Sequence, residues 1–216
     1  MSGVRLGVLV SGTGTIFEAI LEDGLPVTVA LADRPCRGLE VAQRASVPAE
    51  LVDRSEWGGF GGTFDRDGYT RAVTASLREH GVDLIAMAGF GTVLGQPIFD
   101  AYRMRILNTH PSLLPKFPGW HAVAEALASG DAETGCTVHY AILATDEGPV
   151  VAQRSVPVLE ADTEDSLHER IKTVERRLYP EAIRMVVSEL ETNQQEDPKQ
   201  EATKQEATKQ MKEAAS

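Results

Sequence analysis

Asn108 and His110 stand two residues apart at the end of a short apolar run, Arg105 to Leu107, that reads as a strand arriving from a core. Three prolines follow within eight residues, Pro111, Pro115 and Pro118, and exclude both helix and interior strand. The pair therefore sits where a strand ends and a rigid loop begins, which in a parallel sheet is the usual edge of a ligand crevice. Two residues apart in extended backbone, the two side chains point the same way. A neutral imidazole can take a proton and a carboxamide N–H can donate to a developing oxyanion, a combination suited to addition at a carbonyl carbon. The bare triplet Asn-x-His is also common as a structural element of polar loops, so residue types alone leave both readings open.

The elements that must position this pair follow from periodicity. Val4 to Val10 is a nearly continuous β-prone apolar run, the pattern of a central parallel strand buried on both faces. Ser11-Gly12-Thr13-Gly14-Thr15 follows, then a helical pattern with Ile16, Phe17, Ile20 and Leu21 apolar. Strand, glycine-rich turn and helix N-terminus can cradle an anion, and they equally make an ordinary tight turn; the third glycine of the dinucleotide fingerprint is missing. Strands are expected at 27–32, 49–52, 84–88 and 105–110, and helices at 39–45, 67–80, 96–101 and 121–129, the last stopped by Gly130. This alternation is that of βαβ units and a parallel sheet. Residues 53–64, with four glycines around Trp57 and Phe60, read as a mobile loop whose aromatics anchor it to the body.

Strands expected at 137–142 and 150–158 are joined too tightly for a parallel crossover, so they are antiparallel, and the sheet becomes mixed but mostly parallel. His139, in mid-strand, reads as a packed histidine. Asp162-Thr163-Glu164-Asp165 opens a long helix with a cap and negative charge at its start. Leu167, Ile171, Val174 and Leu178 form its buried stripe, and Pro180 is expected to begin a second helical segment. After about Thr192 the composition changes, and Gln-Glu-Ala-Thr-Lys occurs twice in succession. The expected organisation is one α/β domain over 1–191, Rossmann-like in its first half with helices on both faces, and a disordered or loosely helical tail over 192–216.

Composition narrows the function. The chain of 216 residues carries a formal net charge of −11 and has a pI of about 4.9, which disfavours nucleic acid and anionic membranes as partners. A small phosphorylated substrate remains compatible, because a helix N-terminus binds phosphate without Lys or Arg. Two cysteines, Cys36 and Cys136, give neither a disulfide framework nor a CxxC motif. The first apolar run is too short for a secretory core and no stretch approaches a membrane span, so a cytoplasmic location is expected.

The stretch N-T-H-P-S-L-L-P-K-F-P-G-W-H-A resembles the signature of the folate-dependent formyltransferases, and its ending K-F-P-G-x-H-A that of the phosphoribosylglycinamide formyltransferase branch of purine synthesis. The resemblance runs from about Val4 to Leu190. It implies a one-carbon transferase that moves a formyl group from 10-formyltetrahydrofolate, as co-substrate, to the amine of glycinamide ribonucleotide, with small molecules as its only ligands, no metal, and a monomeric or homodimeric state. It implies catalytic roles for Asn108, His110 and Asp146, the last within D-x-G-P-x-x-x-Q. A carboxylate beside an imidazole fixes its tautomer and stabilises its protonated form; alone, an Asp before Glu-Gly-Pro is a turn residue.

For the substrate, the resemblance implies the phosphate loop Gly14, Thr15 and Ile16, and Glu175. Where the family often has Asn, this chain has Ile16, so a contact there falls to the backbone N–H. For the folate it implies Arg66, the segment Gly91, Thr92, Val93 and Leu94, and Asn108. The commoner family pattern has Met-Arg in place of Gly91-Thr92. Backbone at 91–94 with the loop 142–146 is then expected to match the pterin edge, Val93 and Leu94 to form an apolar wall, and the Thr92 side chain to matter little. Formyltetrahydrofolate hydrolase would use the same triad with water, but an added N-terminal regulatory domain is expected there. Methionyl-tRNA formyltransferase would need a basic C-terminal extension. A non-enzymatic nucleotide-binding protein would need only the glycine loop.

Overall fold

The computed structural model describes residues 3–59 and 61–213, the last twenty of these as backbone alone. Among the described residues seven strands, β1 (Leu6–Val10), β2 (Val27–Ala32), β3 (Ala49–Leu51), β4 (Leu84–Met87), β5 (Ile106–His110), β6 (Glu133–Tyr140) and β7 (Val150–Pro157), form one sheet in the order β3-β2-β1-β4-β5-β6-β7. The first five are parallel, and β6 and β7 extend the sheet antiparallel, as the short 141–149 connection requires. Among the described residues the α-helices are α1 (Thr15–Glu22), α2 (Arg37–Arg44), α3 (Arg66–Glu79), α4 (Gln96–Ala101), α5 (Ala122–Ser129) and α6 (Glu164–Glu213).

Side-chain alternation divides the core between the two faces of the sheet. Leu6, Val8 and Val10 of β1, Leu84 and Ala86 of β4 and Leu107 of β5 pack with Phe17 and Ile20 of α1, Val41 of α2, Val123 of α5 and the stripe of α6. Leu9, Ile85 and Ile106 face the other way, toward Tyr69, Val73 and Leu77 of α3 and Ile98 of α4. Gly7 lets α3 lie close: a Cβ there would stand 2.8 Å from Leu77 Cδ2. The strand order reverses between β1 and β4, and a crevice opens at their carboxyl ends.

Most elements lie where periodicity puts them, and three expectations change. Residues 53–64 are not loop throughout, since Arg54–Trp57 forms a 3-10 turn capped by the Asp53 side chain, which accepts from Ser55 N–H. Trp57 packs edge-on against Tyr69 with centroids 5.6 Å apart, as expected of an anchor, while Phe60 lies outside the described residues. β6 begins at Glu133, four residues before Thr137, because β7 pairs with it as far as Glu133↔Pro157. Pro180 starts no new segment. One helix runs through it, since burial of Leu178, Tyr179, Ala182 and Ile183 outweighs the ~3 kcal/mol that an interior proline costs. The Tyr179 hydroxyl also donates to the Leu107 carbonyl at 2.8 Å, tying the helix to β5. The backbone past Asn193 is helical to Glu213.

Candidate active site

A cavity of about 470 Å³ opens at the carboxyl ends of β1, β4 and β5, a volume that suits a small-molecule ligand. Gly12 to Ile16 line one part, Met87 to Leu94 another, Asn108 to Pro111 the middle, and Ala141 to Leu143 with Thr145 and Asp146 a further wall. His168, Lys172 and Glu175 reach it from α6.

Asn108 and His110 are carried by the last residues of β5, where the ladder to β6 pairs Asn108 with His139 and His110 with Thr137. Asp146 comes from the β6–β7 loop, so the antiparallel hairpin brings the third residue to the pair. Asp146 adopts φ 60, a left-handed conformation that Asp tolerates better than most residues. Two residues on, a Cβ at Gly148 would run into the Tyr140 carbonyl, which accounts for the glycine of D-x-G-P. The loop after His110 is fixed from the sheet. Thr137 Oγ1 donates to the Ser112 carbonyl at 2.6 Å and accepts the Leu114 N–H at 3.0 Å. Gln153, the last residue of D-x-G-P-x-x-x-Q, donates to the Leu114 carbonyl at 2.8 Å.

The four polar groups converge. The Asp146 side chain is only 6% exposed; its Oδ2 is 3.4 Å from His110 Nδ1 and its Oδ1 3.6 Å from His139 Nε2. The Gly119 N–H donates to Oδ2 at 2.9 Å. His110 Nε2 lies 2.7 Å from the Phe117 carbonyl oxygen, so both ring nitrogens face acceptors.

His139 is buried, as a packed histidine should be, and it also belongs to this cluster. Desolvation lowers its pKa below the usual histidine value, against the smaller opposing effects of the Tyr140 carbonyl and Asp146. The neutral ring donates from Nδ1 to the Tyr140 carbonyl at 3.0 Å, which leaves Nε2 an acceptor for the Asn108 carboxamide N–H at 3.4 Å. That contact orients the Asn108 amide.

Glu175 is buried and bears on the cavity. Burial pushes its carboxyl up to about 7, with the Thr109 hydroxyl, Lys172 and Arg176 opposing more weakly. His168 and Lys172, unassigned from sequence, lie seven and three residues before it and so share its helix face; projecting the 3.6 period back from Glu175 would have found them. In the glycine loop, Gly14 has φ 73 and a Cβ there would stand 3.0 Å from Gly38 Cα, so this glycine is needed for the turn as well as for access. Ile16 turns part of its side chain into the core, consistent with a backbone role at the cavity.

The residues expected to meet the folate divide. Gly91, Thr92, Val93 and Leu94 all line the cavity, with Val93 37% exposed and Leu94 buried against the α3–α4 cluster. Arg66 does not line it; it opens α3 in an exposed position beside Gly95. The Thr92 side chain, expected to carry no folate recognition, is engaged within the protein. It is 1% exposed, and its hydroxyl donates to Asp33 Oδ2 at 2.6 Å and accepts from Arg54 Nη1 at 2.9 Å. Among the described residues, no cluster of three or more His, Cys, Asp or Glu could hold a metal ion.

The family model for formyl transferases matches residues 4–183. A phosphoribosylglycinamide formyltransferase of Mycobacterium tuberculosis is 45% identical over 184 residues, 83% of either chain. The trifunctional purine biosynthetic protein adenosine-3 of Drosophila melanogaster is 36% identical over 193 residues, 85% of this chain and 14% of that one. Among solved structures, a glycinamide ribonucleotide transformylase of Symbiobacterium toebii superposes with a TM-score of 0.79 at 42% identity, covering 86% of this chain and 88% of its own. With a matching family model over most of its length and relatives of this identity, the chain belongs to the formyl transferase family.

Proposed function

We propose that the chain transfers a formyl group from 10-formyltetrahydrofolate to the amine of glycinamide ribonucleotide, with Asn108, His110 and Asp146 as its catalytic residues. The substrate amine attacks the formyl carbon, and the carbonyl π electrons move onto oxygen. The Asn108 N–H, aimed by the His139 acceptor, donates to that oxygen. Collapse of the adduct expels N10 of the folate, which takes up a proton as the attacking amine loses one. His110, between the Asp146 carboxylate and the Phe117 carbonyl, is placed to carry positive charge beside the adduct and to relay that proton. No step calls for a Lewis acid, because the formyl group is already activated on its carrier. The observation that carries this reading is the convergence of the Asp146 carboxylate, 6% exposed, on His110 at 3.4 Å at the cavity wall.

The ribose phosphate is assigned to the backbone of Gly14, Thr15 and Ile16 at the start of α1. Glu175, with Lys172 beside it, is assigned to the glycinamide ribonucleotide, and residues 91–94 with the 142–146 loop to the pterin. Arg66, exposed at the start of α3, is left for the folate's glutamate end, a contact worth about 1 kcal/mol. The acidic balance of −11 supports a cytoplasmic enzyme without nucleic-acid or membrane partners, and no helix among the described residues is long and apolar enough to cross a membrane. A catalytic unit ending near residue 191 fits the described side chains of α6, which are buried as far as Val187 and exposed or half-buried over 188–193, and the enzyme is read as a monomer or homodimer.

The test follows tetrahydrofolate release from 10-formyltetrahydrofolate with and without glycinamide ribonucleotide. Release that requires the ribonucleotide is expected. Equal release without it would make the enzyme a hydrolase and overturn the reading.

A further inference from the structure

At the edge of the cavity, away from His110, five polar side chains from four chain segments close on one another. Asp33, 0% exposed, follows β2 and is the centre. Its Oδ2 accepts from the Thr92 hydroxyl at 2.6 Å, and its two oxygens take both arms of the Arg34 guanidinium at 2.9 and 2.8 Å. Arg54, 7% exposed in the 3-10 turn, donates to the Thr92 hydroxyl from Nη1 at 2.9 Å and to the Gly59 carbonyl, and lies over the Phe64 ring at 4.4 Å. Ser11, at the end of β1, accepts the Gly91 N–H at 2.6 Å and hydrogen-bonds to Asp33. The segment after β4 is thus held at two successive residues, 91 by its backbone and 92 by its side chain. It has no strand partner to hold it there.

Burial alone would raise the Asp33 carboxyl, but hydrogen bonds from Arg34, Thr92 and Ser11 outweigh it and hold Asp33 ionised. A buried carboxylate paired in this way fixes its donors in direction, and an unpaired one would be costly, so the arrangement has one low-energy form. Gly91 belongs to it: a Cβ there would stand 3.3 Å from the Arg34 guanidinium.

We infer that the Thr92 hydroxyl, clamped between Asp33 and Arg54, sets the backbone of residues 91–94 in the form that receives the formyl donor, making Asp33, Arg54 and Ser11 positioning residues for that co-substrate. The inference rests on the assignment of 91–94 to the pterin. None of the three positioning side chains lines the cavity; they act through the strip of backbone that does. Because Ser11 leads directly into the loop assigned to the ribose phosphate, the same cluster also ties the two halves of the cavity to one frame.

Thr92→Val keeps the shape and removes the hydroxyl; Thr92→Ser restores it. Calorimetric Kd values for tetrahydrofolate and for glycinamide ribonucleotide separate positioning from general damage. For Thr92→Val the tetrahydrofolate Kd should rise about tenfold or more, with the ribonucleotide Kd within about twofold, and Thr92→Ser should lie near wild type. Ser11→Ala, a second route to the same segment should Thr92→Val fail to fold, should raise the tetrahydrofolate Kd by about threefold. Val93→Asp, at a half-exposed cavity position, tests the underlying assignment. Weak folate binding by Val93→Asp alongside wild-type binding by Thr92→Val and Ser11→Ala would overturn the positioning inference and leave the assignment standing. Wild-type binding by Val93→Asp would overturn the assignment itself. Equal weakening for both ligands in Thr92→Val would reduce the cluster to general scaffolding and overturn the inference.

Discussion

Two clusters of buried polar side chains lie at the same edge of the sheet, and they are built to opposite rules. Around Asp33 the bonds are short, 2.6 to 2.9 Å, and donors and acceptors are matched within the protein. Around Asp146 the distances to the two histidines are 3.4 and 3.6 Å, and the groups border a cavity. A closed network lowers the energy of one conformation. An open one keeps hydrogen-bonding capacity for an incoming ligand, and such bonds commonly tighten only when the reacting complex forms. Substitutions in the open cluster should therefore act on rate, and those in the closed cluster on stability and folate affinity.

The largest effect expected is at the open cluster. His110→Ala, Asp146→Asn and Asn108→Ala should each lower kcat by on the order of 10²-fold or more, from lost acid–base or oxyanion terms. Their melting temperatures should stay within a few degrees of wild type, since each of His110 and Asp146 makes only one short bond to the surrounding backbone, to the Phe117 carbonyl and from the Gly119 N–H. Near-normal turnover in soluble His110→Ala would remove the catalytic assignment. A collapse in melting temperature would erase the distinction between the clusters.

At the closed cluster the expectation is reversed. Asp33→Ala strips the acceptor from Arg34 and Thr92 and should cost roughly 3 kcal/mol of stability, read as a shift in urea midpoint, with kcat at saturating substrates within a few-fold of wild type. A variant as stable as wild type would show that the bonds around Asp33 contribute nothing net.

Glu175 is a third kind of buried polar group, with its carboxyl raised to about 7 and no short charge partner among the described residues. Its folded value stands above the ordinary 4.5, so the folded state holds a proton that the unfolded state has already released. Stability from this site is complete below about 4.5 and is lost as pH rises through about 7, on the order of 3 kcal/mol in all. Asp33, with a lowered value, acts in the opposite sense and only at acid pH, losing its contribution as pH falls below the ordinary 3.8. Urea melts of wild type and Glu175→Gln at pH 5 and pH 8 should differ mainly at pH 8, with the glutamine variant the more stable. Parallel curves would place Glu175 in contact with a cation or with water.

The two clusters also differ in how far the sequence revealed them. Asn108 and His110 were legible because prolines confine them to a strand end, and Asp146 became so only through the resemblance, since its convergence depends on how a hairpin closes. The alternation of β1 to β5 with helices gave the parallel sheet, and the short 143–149 link gave the antiparallel extension. The Asp33 cluster was not legible. Asp33-Arg34-Pro35 reads as a strand breaker, Arg54 as a loop residue and Thr92 as a bland substitution, because nothing local states that these segments meet one another and Ser11. Pro180 misled for a related reason, since its local cost is outweighed by tertiary burial that the sequence does not display.

The smallest effect is expected at Ile16, where a single residue divides between the two modes of construction. Its side chain packs partly on the core, while its backbone belongs to the first turn of α1, whose leading N–H groups lack intrahelical partners. If the ribose phosphate binds through those N–H groups, Ile16→Asn removes some packing and none of the binding. Stability should fall by about 1 kcal/mol, the loss expected for a half-buried aliphatic side chain. The KM for glycinamide ribonucleotide should stay within about threefold, because an added carboxamide gains at most one weak contact to a phosphate already held by backbone. Gly14→Val is a poor partner for this test, because φ 73 and the nearby Gly38 backbone would strain the fold itself. The cleaner control is Gly12→Val: its Cβ position meets nothing within 4 Å, so a branched side chain obstructs the loop without distorting it. A strong rise in KM for Gly12→Val with little change for Ile16→Asn supports backbone recognition of the phosphate. The reverse ranking would mean that the side chain at 16 reads the substrate and that the glycine loop is only a turn.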